Sequence, residues 1–388
     1  MTEMVYGAMP ARVREPVLPR WWRTIDKWSM TAVMVLFGIG LLLGLAASVP
    51  LASRNGLEPY YYVQKQAIFG GAAMLVMAAV SMMSPQMIRR LGILGFGFAL
   101  VALMALPFVG QDHGKGAVRW LSIAGFSLQP SEFLKPCFII VTAWLMAAAQ
   151  EVNGPPGRAM SLALTIFVAL FLAMQPDFGQ TMLILFGWSV IYFVAGAPMV
   201  LIFGVVGAVG LAGVSAYNMS EHFARRIDAF LNPEIDPRSQ IGYAVNAIQE
   251  GGFFGVGLGE GQVKWILPDA HTDFIIAVAA EEYGLVLVAL ILGLFCTIIV
   301  RSLARLTRER DPFARLAGAG LACIFGVQAM INMGVAVRLL PAKGMTLPFI
   351  SYGGSSVIAA GLTVGMLLAL TRMRPQGQMS DLFGRRGR

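Results

Sequence analysis

Ten stretches of mostly apolar residues constrain this chain more than any other feature. They fall near 30–50, 65–84, 91–109, 131–149, 159–175, 180–197, 199–217, 273–300, 315–337 and 353–371. A helix crosses roughly 30 Å of hydrocarbon with about 20 residues, so each stretch is long enough to span a bilayer. The runs do not alternate polar and apolar residues, which disfavours a transmembrane β-barrel. Composition points the same way: 57% of the 388 residues are hydrophobic and 13% charged, against about 25% charged in an average soluble domain. A soluble globular enzyme, a disordered protein and a disulfide scaffold are excluded. The expected fold is all-α, a polytopic integral membrane protein of about ten transmembrane helices.

Residues 1–29 read as an N-terminal tail, too polar and proline-broken for a signal peptide. Residues 30–371 form the ten-helix domain, with 218–272 as a large outer loop before the eighth helix. Residues 372–388 are a basic tail. Ten spans put both termini on one side, and the positive-inside rule makes that side cytoplasmic. In this orientation 18 of the 29 basic residues and seven of the 21 acidic ones lie inside, giving +11 inside and −3 outside. Topology and contact with anionic membrane lipids account for the net charge of +8, so no nucleic-acid partner is expected. Cys137, Cys296 and Cys323 all fall in apolar runs and form no disulfide framework or metal motif; they read as small buried residues. The larger loops face outward, and loops carry function more often than spans.

Polar residues collect in four clusters. The first is Arg119-Trp120 followed by Gln129-Pro-Ser-Glu132-Phe-Leu-Lys135. Ser131 reads as a helix N-cap, and Glu132 and Lys135 share a helix face at i and i+3. A structural ion pair and, for Trp120, an interfacial anchor are the plain readings. The second is the break Gln175-Pro-Asp177-Phe-Gly-Gln180, where Asp177 caps the next helix or joins the Glu132/Lys135 group. The third is Leu267-Pro-Asp269-Ala-His271-Thr-Asp273-Phe274, with Glu281-Glu282 deeper in the same span. Thr272 or Asp273 caps that helix, or Asp273 acts as a general base at the membrane surface. His271 tunes that acid or is a satisfied loop histidine. Glu281 and Glu282 need partners, the plain reading being pairing between spans. The fourth is Arg338 and Leu340-Pro-Ala-Lys343-Gly344, then Leu347-Pro-Phe-Ile-Ser-Tyr-Gly-Gly-Ser355-Ser356. Its small residues suit either phosphate binding through backbone N–H groups or tight helix packing.

Two apparent motifs are set aside. Gly255-Val-Gly257-Leu-Gly259-Glu-Gly261 looks like a nucleotide loop but follows no βαβ strand. His113, His222 and His271 are too scattered to suggest a zinc site.

Together the clusters resemble the SEDS family (shape, elongation, division and sporulation). Arg119-Trp120, Gln129-Pro-Ser-Glu132 with Lys135, Asp177-Phe-Gly179, His271-Thr-Asp273-Phe274 with Glu281-Glu282, and Leu347 to Ser356 stand in the family's order and spacing over about 30–371. Gly257 to Lys264 and Pro341 to Pro348 look more like the division member than the elongation member. Asp269 stands where Glu is frequent, and Arg338 where small or polar residues are common.

The resemblance implies a peptidoglycan glycosyltransferase that polymerises lipid II into β-1,4-linked glycan strands, multi-pass in the bacterial inner membrane, at the outer face and the division septum. It implies a class B penicillin-binding protein (a transpeptidase) as partner, with other division proteins. Asp273 matches the essential acid, the base for the acceptor hydroxyl. Arg119, Lys135 and Lys343, with Trp120, Ser355 and Ser356, are the expected substrate and pyrophosphate contacts. A divalent cation, Mg or Mn, is a further expectation. Glu132, Asp177, His271, Glu281 and Glu282 are expected to shape the site. The rivals are a lipid II flippase or transporter, an elongation-type polymerase and a non-catalytic scaffold. Clustering of polar groups at the outer face, away from the midplane, favours the enzyme.

Overall fold

The computed structural model describes residues 16–110, 119–123, 126–219, 221–232, 237, 239–341 and 344–373. A short helix α1 (Val17–Thr24) leads into α2 (Lys27–Arg54), α3 (Tyr61–Ser81) and α4 (Pro85–Val109). A small antiparallel hairpin follows, β1 (Leu121–Ile123) with β2 (Phe126–Leu128), in which Ser122 pairs with Ser127. The bundle continues with α5 (Pro130–Ala148), α6 (Gly157–Met174), α7 (Phe178–Val194) and α8 (Val200–Met219). The stretch read as a loop holds three helices, α9 (Glu221–Leu231), α10 (Gln240–Gly251) and α11 (Val263–Ile266). Last come α12 (Ile275–Leu306), α13 (Pro312–Ala336) and α14 (Gly354–Leu370). Eight helices (α2 to α6, α8, α12 and α13) are long and apolar enough to cross a membrane, and α7 and α14 are shorter apolar helices. They fall on the ten apolar runs.

Local chemistry sets several helix starts. Ser84 accepts from the Met87 amide and Asp311 from the Phe313 amide, each with proline in the first turn, where no N–H is needed. Helix α5 departs from the expected pattern. Its N-cap is Gln129, Pro130 opens the helix, and Ser131 lies inside it. Proline's fixed φ starts the turn one residue earlier than the serine cap would.

Helices α5, α13 and α14 form the centre of the bundle, buried along most of their length. Small residues let them approach closely, as is usual where lipid removes the hydrophobic drive to associate. A Cβ on Gly361 of α14 would lie 2.4 Å from the Ala73 carbonyl of α3. By contrast α8 has no buried residue, and its apolar surface suits lipid. Cys137 is buried, but Cys296 is exposed on α12 and Cys323 is half-buried. Cys296 therefore departs from the buried reading, because an apolar run in a membrane faces lipid as well as protein.

The bundle has two distinct ends. One gathers both ends of the described chain, where the Met373 amide donates to the Thr24 carbonyl at 3.2 Å. There the buried carboxylate of Asp26 binds Arg301 of α12 at 2.9 Å and Arg305 at 3.2 Å. Burial works to raise the Asp26 carboxyl, but the hydrogen bonds from Arg301 and Ser29 and the charge of Arg305 outweigh it and hold it below the ordinary carboxylate range.

Candidate functional site

The other end holds the polar clusters. Helices α5, α7, α12 and α14 all begin here, so their positive dipole ends open on one region. The carboxylates follow that field: Glu132 lies in the first turn of α5, Asp177 at the N-cap position of α7, and Asp273 just before α12.

Glu132 and Lys135 are both buried and pair at 2.8 Å. Lys135 also donates to Gln328 Oε1 of α13 at 2.8 Å, and Gln180 of α7 donates to Glu132 Oε1 at 2.6 Å. Gln328 in turn donates from Nε2 to the Thr346 carbonyl at 3.1 Å. The ammonium of Lys135 is thus held inside the bundle by two oxygens on two helices. A cavity of about 20 Å³ beside Glu132, Lys135 and Ser356 has room for roughly one water.

Arg119 precedes the hairpin and clamps the turn before α7, donating from Nε to the Gln175 carbonyl at 3.2 Å and from Nη2 to the Pro176 carbonyl at 2.5 Å. Asp177 is buried next to this guanidinium. Burial raises its carboxyl and outweighs the lowering by the Arg119 charge. It stands at the N-cap position of α7 without a side-chain cap hydrogen bond, and it feels the charges of Glu132 and Lys135. Trp120, next in the chain to Arg119, is half-buried.

Asp273 is presented by a tight turn. The Asp269 carbonyl accepts from the amides of Thr272 and Asp273, both at 3.1 Å. Asp269 itself sits at φ 55°, in the left-handed region that Asp tolerates better than most residues. Phe274 is the N-cap of α12, and neither Thr272 nor Asp273 caps that helix; Thr272 donates its hydroxyl to the Asp269 carbonyl at 3.2 Å. The turn is tied to the segment 344–352. Ser351 donates to the Thr272 carbonyl at 2.5 Å, and the Tyr352 amide to the His271 carbonyl at 2.9 Å. Asn332 of α13 donates to the carbonyls of Asp273 and Met345 at 3.0 and 2.6 Å. Gly344 lies against the Asp273 carboxylate: a Cβ there would be 3.2 Å from Oδ2. The His271 ring sits between Tyr62 and Tyr352, with centroids 6.0 and 5.8 Å away.

Ser355 and Ser356 open α14. Ser355 accepts from the Gln129 amide at 3.3 Å, joining the fourth cluster to the first, and Ser356 Oγ is 3.1 Å from Thr346 Oγ1. Lys343 lies outside the described residues, as does His113.

One expected pair stands apart from this network. Glu281 and Glu282 do not pair between spans; they hold the loop between α10 and α12. Glu281 Oε1 accepts from the Gln262 and Val263 amides at 2.6 and 2.9 Å, and Glu282 pairs with buried Lys264 at 2.5 Å. The glycines of that loop have a structural reason. Helix α12 breaks at Gly284, where φ is 75°. The loop lies directly on this break, and a Cβ on Gly255 would be 2.2 Å from the Glu282 carbonyl.

Gln328, Asn332 and Lys264 went unassigned in the sequence. The signal was present for two of them, because Gln328 and Asn332 are polar residues four apart in an apolar span and so share a helix face. For Lys264 only the folded loop reveals the partner. Among the described residues no group of three His, Cys, Asp or Glu side chains gathers to hold a metal ion.

The FtsW/RodA/SpoVE model, described as a cell cycle protein family, matches residues 27–376. A "probable peptidoglycan glycosyltransferase FtsW" of Caulobacter vibrioides is 44% identical over 367 residues, covering 94% of each chain. The protein of that name from Alkalilimnicola ehrlichii is 36% identical, covering 89% of each. Among solved structures, a peptidoglycan synthase complex coordinating polymerization and crosslinking contains a chain that matches with a TM-score of 0.71 and 27% identity, over 89% of this chain and 97% of that one. The rod shape determining protein RodA of Thermus thermophilus matches with a TM-score of 0.66 and 25% identity, over 91% and 99%. By the extent of the family match and the ten apolar helices, the chain is a multi-pass membrane protein and belongs to the FtsW/RodA/SpoVE family, its curated relatives bearing the name of the division member FtsW.

Proposed function

We propose that the chain is an inverting peptidoglycan glycosyltransferase that polymerises lipid II at the outer face of the bacterial cytoplasmic membrane, at the septum, with both termini cytoplasmic. The observation that carries this reading is the placement of the Asp273 carboxylate. It sits against Gly344, on a turn braced by Asn332 and Ser351, at the end of the bundle where α5, α7, α12 and α14 begin.

In the reaction, the 4-hydroxyl of the acceptor GlcNAc attacks C1 of the donor MurNAc. Asp273 takes the hydroxyl proton, the C1–O bond to phosphate breaks, and undecaprenyl pyrophosphate leaves with the bonding electrons. Displacement at an α-linked C1 gives a β-1,4 bond with inversion. An alcohol is a weak nucleophile, so a placed carboxylate base contributes typically 10²–10⁴-fold. The leaving pyrophosphate is anionic, and the dipole ends of α5, α7, α12 and α14 favour negative charge there. Arg119 and Lys343 supply the positive charge, while Lys135, Glu132 and Gln180 fix the distance between α5, α7 and α13. Among the described residues no group of three or more His, Cys, Asp or Glu side chains gathers to hold a divalent cation.

The lipid tail stays in the bilayer while the sugars face water, which is why the site lies at one end of the bundle. A class B penicillin-binding protein is the proposed partner, crosslinking the strands made here. The test is polymerisation of labelled lipid II by the purified chain, with and without that partner, using wild type and Asp273→Asn. Glycan strands from wild type and none from Asp273→Asn are expected. Equal rates from both would overturn the base assignment.

A further inference from the structure

Helix α13 ends in a turn that favours glycine, and an arginine occupies it. After the C-cap Val337, the Arg338 amide donates to the Val335 carbonyl at 3.1 Å and the Leu339 amide to the Gly334 carbonyl at 2.7 Å. This pair of bonds closes a helix through one left-handed residue, most often glycine. Arg338 takes that place with φ 59°, where a Cβ crowds the following carbonyl and glycine meets no such penalty. The backbone of α13 therefore gives no reason for a side chain here.

The reason lies on another helix. Arg338 Nη2 donates to the Phe230 carbonyl at 3.4 Å and to the Asn232 carbonyl. These lie at the C-terminal end of α9, where the last carbonyls find no amide within their own helix and a cation is favoured. The other anchor of α9 is apolar. Phe223, Ile227 and Phe230 are half-buried on one face, while Glu221, Arg225 and Asp228 are exposed. The Phe223 ring lies 5.3 Å from that of Phe178, the residue after Asp177. From Phe223 to Phe230 is roughly 10 Å of helix. Helix α8, which leads into α9, has no buried residue, so these two anchors matter.

Both anchors adjoin the candidate site. Asp177 feels the charge of Arg119 at one end of α9, and at the other α13 carries Asn332, which holds the Asp273 carbonyl. We propose that Arg338 is a positioning residue for lipid II: by holding the C-terminal end of α9 it keeps that helix as a wall beside both halves of the site. The proposal rests on the glycosyltransferase reading above.

Arg338→Gly separates the two roles of this position, because it relaxes the turn and removes the guanidinium. One nitrogen serves both carbonyls, so the ammonium of Arg338→Lys is able to replace it. The full chain is measured in detergent by hydrogen exchange, by thermal melting and by polymerisation of labelled lipid II. Arg338→Gly is expected to melt no lower than wild type. Its exchange over 221–232 should quicken about fivefold or more, and its KM for lipid II should rise about threefold or more, with kcat changing less. Arg338→Lys should return both to within about twofold of wild type.

Unchanged exchange over 221–232 in Arg338→Gly overturns the anchor. Faster exchange with an unchanged KM overturns the positioning role, and so does a lysine variant as impaired as the glycine one. Exchange needs no substrate. A wild type that makes no glycan therefore overturns the glycosyltransferase reading and the positioning role with it, while exchange still decides the anchor.

Discussion

Asn332 donates its side-chain amide to the backbone carbonyl of Asp273 at 3.0 Å, and the same nitrogen reaches the Met345 carbonyl at 2.6 Å. One side chain on α13 thus ties the turn carrying the proposed base to the segment that faces it. Asn332→Ala leaves both carbonyls without that donor, at a cost of roughly 1–3 kcal/mol each where burial is complete. Lipid II polymerisation is expected to fall about 10²-fold, the effect of an ångström-scale misplacement, with kcat falling more than KM changes. A turnover within twofold of wild type would remove the positioning role.

Asp273→Asn keeps the size and the backbone bonds of the turn and removes only the proton acceptor. Glycan synthesis is expected to drop by about 10²–10⁴-fold, while the melting temperature in detergent stays unchanged. A lowered melting temperature would mean that the carboxylate holds the turn instead of serving the chemistry.

Arg119 uses two nitrogens of one planar group on two adjacent carbonyls, those of Gln175 and Pro176. Lysine keeps the charge but not the fork. Arg119→Lys is therefore expected to slow polymerisation several-fold despite the retained charge. Unchanged lipid II kinetics would show that charge alone suffices at this position.

Lys264 and Glu282 are buried together, with side chains 6% and 0% exposed. Removing one partner of such a pair costs about 3–5 kcal/mol, whereas replacing both by neutral groups costs much less. Lys264→Met should lower the melting temperature sharply, and Lys264→Met/Glu282→Gln should recover most of the loss. Additive losses in the double variant would contradict the pairing.

The Asp26 carboxyl is held below its ordinary range, so its linked stability has a definite sign. The stability it adds is complete above the ordinary carboxylate range and is lost as pH falls through the lowered value. Asp26→Asn should cost roughly 1–3 kcal/mol at neutral pH, at the lower end because Arg301 is partly solvated. Thermal melts should show the difference between wild type and variant closing towards low pH.

Much of the molecule was legible from one dimension. Hydropathy marks the ten apolar helices because crossing a membrane needs length and apolarity, both local properties of the chain. Charge placement gathered Asp26, Arg301 and Arg305 on one side, and the fold brings them into contact. The clusters around Arg119, Glu132, Asp177, Asp273 and Ser355 were visible because polar residues are scarce in such a chain. Their partners were not. Lys135 could pair with Glu132 by helical spacing alone, but its bond to Gln328 depends on how α5 meets α13. Glu281 and Glu282 read as a pair between spans, and only the path of the loop over the Gly284 break shows that they hold that loop. Hydropathy and charge act residue by residue and can be read in order along the chain. Hydrogen bonds between distant segments, such as Asn332 to Asp273 and Gln129 to Ser355, exist only once close-packed small residues set the distance between helices, so the tertiary structure alone decided them.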